Sequence, residues 1–113
     1  MMSKQHPQEI ARELDKANEC RNEDWQLWRY VNKDSKLVLR QFIPNKVLVF
    51  RGTTYIRLLG GLENAIFRLG TEEEKKSLSN IYTPDQHLIS ISEGKFDYYI
   101  ICQEVKFYSF QEE

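Results

Sequence analysis

The chain has 113 residues, 41% of them apolar and 12% aromatic, with 16 basic and 17 acidic side chains and a formal charge of −1. That length fits one domain, 1–113, able to bury a core without disulfide or metal staples, and that composition excludes disorder over most of the chain. The balance of charge excludes a uniformly basic or acidic protein but hides a segregation, with net −2 over residues 1–24, +6 over 25–70 and −5 over 71–113.

Residues 1–6 read as a flexible polar arm with no apolar stretch of the kind a secretion signal needs. The spacing predicts a helix over 7–19. Pro7 suits a first turn, where its missing N–H costs nothing, and Ile10, Ala11, Leu14 and Ala17 fall on one face. The stripe is thin, so this helix needs a sheet to lie on.

From Trp25 the period becomes that of strands, and residues 25–70 read as a basic strand meander. Strands over 25–31 and 37–43 flank a polar turn at 32–36, a second turn at 43–46 leads into 47–50, and a third antiparallel connection leads into 54–59. Gly60 and Gly61 interrupt the pattern. Residues 62–69 fit either a helix, through Leu62, Ala65, Ile66 and Leu69, or a strand. Strand is preferred because the run is short and Phe67 is apolar off the helical face.

Thr71 followed by Glu72, Glu73 and Glu74 is a capping-box signature, which predicts a short helix and loop over 71–81. Residues 86–110 read as a C-terminal β-hairpin turning at 92–95. Its apolar phase changes near Gln103 and Glu104, the sign of a bulge or of a strand bending between two sheets.

Several strands are apolar on both faces: Val47 and Val49 alternate with Leu48 and Phe50, and Trp25, Leu27 and Val31 with Trp28 and Tyr30. A sheet with one wet face does not read this way. The expected fold is therefore α+β, mainly β, an antiparallel sheet curled into a small barrel or sandwich with the N-terminal helix packed on it.

Reactive clusters are sparse. The histidines are His6 and His87 and the cysteines Cys20 and Cys102, too few for a disulfide framework. Cys102 could face His87 across the hairpin, but the plain reading is a core thiol and a turn histidine. No HxH, CxxC or HExxH spacing points to a metal, and no GxGxxG or GK[ST] loop to a bound nucleotide, so neither a catalytic residue nor a cofactor is assigned. No apolar run reaches the roughly 18 residues of a membrane span. A cytoplasmic protein with no membrane partner is expected.

One constellation carries a function. Arg29, Arg40, Arg51 and Arg57 fall on successive predicted strands, near Trp25, Trp28, Tyr30, Phe42, Phe50 and Tyr55. The plainest reading pairs these arginines with the acids of 71–113 across the sheet. The preferred function is a non-enzymatic protein-binding or adaptor domain acting through Trp25, Trp28, Arg29, Arg40, Arg51, Tyr55 and Arg57, either on a protein partner or on a second copy in a homodimer. The alternative is a β-barrel binding a small ligand or single-stranded nucleic acid by stacking and phosphate contacts, although no RNP or KH signature is present. An enzyme without a recognisable motif is the third option.

Overall fold

A computed structural model describes residues 5–19, 24–41, 46–58 and 61–109. In chain order the elements are α1 (Pro7–Asn18), β1 (Trp25–Val31), β2 (Lys36–Gln41), β3 (Lys46–Arg51), β4 (Tyr55–Arg57), β5 (Gly61–Leu62), β6 (Ile66–Leu69), α2 (Glu72–Ser77), β7 (His87–Glu93), β8 (Phe96–Cys102) and β9 (Glu104–Ser109). The strands form two antiparallel sheets, one of five strands in the order β5-β1-β2-β3-β9 and one of four in the order β4-β8-β7-β6. Among the described residues neither sheet closes on itself, so the barrel half of the expectation is not met.

β1, β2 and β3 are the expected meander, and residues 66–69 are strand, paired with β7 from Ile66–Ser92 to Leu69–Ile89. The turn expected at 43–46 lies outside the described residues as far as position 45. The third connection differs from the expectation: β3 pairs with β9, whereas β4 pairs with β8 in the other sheet. The cause is a corner. Gln103 donates its N–H to the Arg51 carbonyl at 2.9 Å and Thr54 donates to the Ile101 carbonyl at 2.9 Å, so the two-stranded ribbon stays hydrogen-bonded while it passes between sheets. Gly52 makes the bend at φ 63, and a Cβ there would lie 2.8 Å from the Gln103 side chain. Glycine alone takes that conformation at no steric cost. The phase change at Gln103 is the other strand of the same corner.

A single core is shared by both sheets and the helix. Leu37, Leu39, Leu48, Phe50 and Val105 of the five-stranded sheet meet Phe67, Ile89, Ile91, Ile100 and Cys102 of the four-stranded one, with Ile10, Leu14 and Ala17 of α1 joining them. These helix residues are the stripe read from the 3.6 period, less Ala11, which is only partly buried.

The polar side chains of α1 solve a second problem, the unpaired backbone of sheet edges. Asn18 accepts from the Phe67 N–H and donates to the Phe67 carbonyl, both at 2.7 Å, along the free edge of β6. On β9, Gln5 accepts from the Val105 N–H at 2.8 Å and donates to its carbonyl at 3.1 Å, while Glu13 accepts from the Phe107 N–H at 3.1 Å. The helix and Gln5, two residues before it, thus cover one edge of each sheet. Residues 1–4 of the expected arm lie outside the described residues.

Candidate binding face

The outer face of the five-stranded sheet follows from its register, because cross-strand partners share a face. Arg29, Val38, Val49 and Lys106 form one row across β1, β2, β3 and β9; Arg40, Val47 and Tyr108 form the next. Lys36 stands two residues before Val38 on β2, and Arg51, opposite Glu104, closes the β3 end.

Arg29 joins this face beside Trp28 through a defect in the ladder. Leu27 pairs with Leu39 and Arg29 with Val38, so the register shifts by one residue at Trp28. Such a bulge bends the strand and re-aims a side chain. Here it places consecutive residues, Trp28 and Arg29, on the rim of the same concavity of about 530 Å³, together with Lys36, Val38, Arg40, Val47, Val49 and Tyr108.

The Arg40 guanidinium carbon lies 4.9 Å from the Trp28 ring centroid, a cation–π contact. Trp28 is 48% exposed and Tyr108 38%, while the valines between them are nearly covered, Val38 at 5% and Val49 at 7%. The cationic stems and the rings therefore roof the aliphatic floor, with Arg29 exposed and Arg40 and Lys36 half-buried. That accounts for strands apolar on both sides: one side meets the core, the other lies under its own arginines and lysines. No family model, curated protein or solved structure matches the chain.

The structure divides the residues singled out from the sequence. Trp28, Arg29, Arg40 and Arg51 share the outer face. Trp25 does not reach it. This ring is fully buried and packs edge-on against Phe67 at 5.6 Å between centroids. Tyr55 and Arg57 lie on β4, in the other sheet, opposite Ile101 and Tyr99. Tyr30, opposite Leu37, belongs to the core-facing side of β1; Phe50 is in the core, and Phe42 lies outside the described residues. Sequence reasoning missed Lys36 and Val38, although a period of two counted back from Arg40 leads to both. Lys106 and Tyr108 carried no such local signal, since only the long-range pairing of β9 with β3 brings them in.

The outer face of the four-stranded sheet is occupied instead. Arg68 forks onto Glu74 of α2 at 2.7 and 3.3 Å, and the Ser90 hydroxyl donates to the same carboxylate at 3.1 Å. Thr71 and Glu74 close the expected capping box reciprocally. Burial alone would raise the Glu74 carboxyl, but the Arg68 fork, the Thr71 amide and the Ser90 hydroxyl outweigh it and hold the group at about 2.

Cys102 and His87 face each other across β7 and β8 without forming an activated thiolate–imidazole pair. The register sets His87 opposite Cys102, yet burial pushes the thiol up to about 12, so it stays protonated at neutral pH. The Gln5 carbonyl lies 2.8 Å from His87 Nε2 and accepts its proton. Among the described residues no cluster of three or more His, Cys, Asp or Glu side chains could hold a metal, and no helix is long and apolar enough to cross a membrane.

Proposed function

We propose that the chain is a non-enzymatic binding or adaptor domain that works through the outer face of its five-stranded sheet. The observation that carries this reading is the Arg40–Trp28 contact set in a concavity whose rim also bears Arg29, Lys36 and Tyr108. Arginine, tryptophan and tyrosine are the residue types that supply most binding energy at interfaces. Arg29, Lys36 and Arg40 stand over a floor already covered, so the face suits an anionic partner rather than an aliphatic one.

Two finer points belong to the same reading. The two sheets act as the layers of a sandwich, supported by the core they share. A reducing, cytoplasmic setting is supported by the free buried thiol of Cys102.

The two tryptophans make the test direct. In a ¹⁵N spectrum the Trp28 and Trp25 indole N–H signals report the face and the core separately. Titration with heparin and with poly-glutamate is expected to move the Trp28 indole and the amides of β2, β3 and β9 while leaving Trp25 in place. Shifts confined to the four-stranded sheet, or no shift with either polyanion, would overturn the proposal. Sedimentation at micromolar concentration separates a partner-binding face from one that pairs with a second copy.

A further inference from the structure

We propose that the anionic partner is single-stranded nucleic acid, held with a base stacked on the Trp28 indole and phosphates on the surrounding cations; this rests on the reading of that outer face as the binding surface. Three observations favour it over an acidic protein.

The first is where the apolar area has gone. A stable protein interface buries roughly 800 Å² on each partner around an apolar core from which lysine is depleted. Here the aliphatic floor is spent under the protein's own stems, with Val38 5% and Val49 7% exposed, and lysines stand on the same face. What remains open is ring surface, Trp28 at 48% and Tyr108 at 38%. A nucleobase offers a flat π-face to such a ring, whereas an acidic peptide segment does not.

The second is the sign and spacing of charge. Arg29, Lys36 and Arg40 line the concavity with the rings, Lys106 stands at the margin beside Val49 and near Glu13 of α1, and Glu104 lies opposite Arg51 at the far end of the face. From Lys36 to Arg40 is about 13 Å along β2, and from Arg29 to Lys106 about 14 Å across the strands. Cations set beside a stacking platform suit a chain that alternates a flat base with a charged linker. The near-neutral whole chain does not oppose this, because among the described residues several acids lie away from the concavity, Glu74 under Arg68, Asp24, Glu63 and Glu93 around a separate hollow by β5, and Glu9 and Glu13 on α1.

The third is the Arg40–Trp28 contact itself. A guanidinium at 4.9 Å fixes the indole plane before any ligand arrives, so less rotamer freedom is lost on stacking.

The experiment measures anisotropy of fluorescein-labelled oligo(dT) and oligo(U) against the full chain at several salt concentrations, with a DNA duplex of equal length and poly-glutamate as competitors. Both single strands are expected to bind, the duplex more weakly. Four neutralised phosphates give a slope of log K against log salt of about −3. Trp28→Ala is expected to weaken binding about tenfold, the loss of one stacked base, and Trp28→Phe to restore most of it. Lys36→Glu is expected to weaken all sequences alike and to flatten the salt slope by about 1, which keeps the proposal open to refutation should Trp28→Ala fail to fold. Arg57→Ala, on the other sheet, is expected to bind as the unaltered chain does. Absence of oligonucleotide binding at low salt, or binding indifferent to both Trp28→Ala and Lys36→Glu, would overturn the inference. Poly-glutamate binding on this face without oligonucleotide binding would overturn it while leaving the face as the working surface; loss of every polyanion would remove both readings.

Discussion

Asn18 is expected to contribute more to stability than its place at the end of a helix suggests. Its carboxamide satisfies both backbone groups of Phe67, at 2.7 Å each, along an edge of β6 that among the described residues has no neighbouring strand. In Asn18→Ala both bonds go, and a partly buried N–H and C=O are left to whatever water can reach them. At about 1 kcal/mol net per bond the loss is about 2 kcal/mol, with more to come where water cannot reach the freed groups. Alanine's better helix propensity returns a few tenths of a kcal/mol, so about 2 kcal/mol is a conservative figure. With an unfolding entropy near 2.1 cal/mol/K per residue, a chain of this size should melt about 8 °C lower. The assay is thermal and denaturant unfolding of the two proteins, joined to amide exchange of Phe67. Asn18→Asp keeps the acceptor, loses the donor and sets a carboxylate against the Phe67 carbonyl; it should be no better than alanine at neutral pH. If Asn18→Ala melts within about 2 °C of the parent and the Phe67 amide is equally protected, the edge-cover argument is refuted.

Other outcomes follow from single geometric facts. Gly70→Ala and Gly52→Ala should each cost well over about 1 kcal/mol by overpacking and, at position 52, backbone strain, because a Cβ would meet Leu88 at 2.6 Å and Gln103 at 2.8 Å. Gly94→Ala has open space but φ 59 and should cost less, and Gly61→Ala, with neither obstacle, should be near neutral in chemical denaturation. The depressed Glu74 carboxyl gives stability fully present above its ordinary value of 4.5 and lost as pH falls toward about 2. Glu74→Gln, which keeps the capping geometry, should therefore differ from the parent at neutral pH and converge with it in acid; a constant gap across that window would contradict the assignment. In the folded protein Cys102 should resist iodoacetamide until denaturant is added, as peptide mapping would show, because burial keeps its thiol protonated to about pH 12.

Local physics was legible in the sequence where one residue's neighbours along the chain decide its fate. The Ile10–Leu14–Ala17 stripe, the Thr71–Glu74 box, the β1–β2–β3 meander and the bend at Gln103 all follow from spacing or turn chemistry within a few residues. Arg29 and Tyr30 show where this stops. Trp25 and Trp28, three positions apart, take opposite faces by alternation alone, one ring in the core and the other on the surface. Past Trp28 the same alternation would turn Arg29 inward, and the bulge between Leu27 and Arg29 shifts the register so that Arg29 joins the outer face and Tyr30 the core-facing side. A bulge is settled by how two strands pair, and a one-residue slip exchanges faces. The pairing of β3 with β9 rather than with β4 is of the same kind. It depends on the corner at Gly52 and Gln103, whose members lie half the chain apart.

The charge segregation along the chain takes a different meaning once the strands are placed. Self-neutralisation between the basic middle and the acidic C-terminal third is realised at Arg68 and Glu74, beneath α2. On the outer face of the five-stranded sheet the acidic third sets Glu104 opposite Arg51 at one end. The strand that arrives there from the acidic third is β9, and its register turns Lys106 and Tyr108 outward beside Val49 and Val47, while Val105 and Phe107 face the core. A shift of β9 by one residue would expose those apolar groups and bury Lys106. The hydrophobic demand of the core therefore fixes which charges the face displays, and what it displays is a further cation and a further ring. The outward chemistry of this face is thus a consequence of the same alternation that holds the two sheets together.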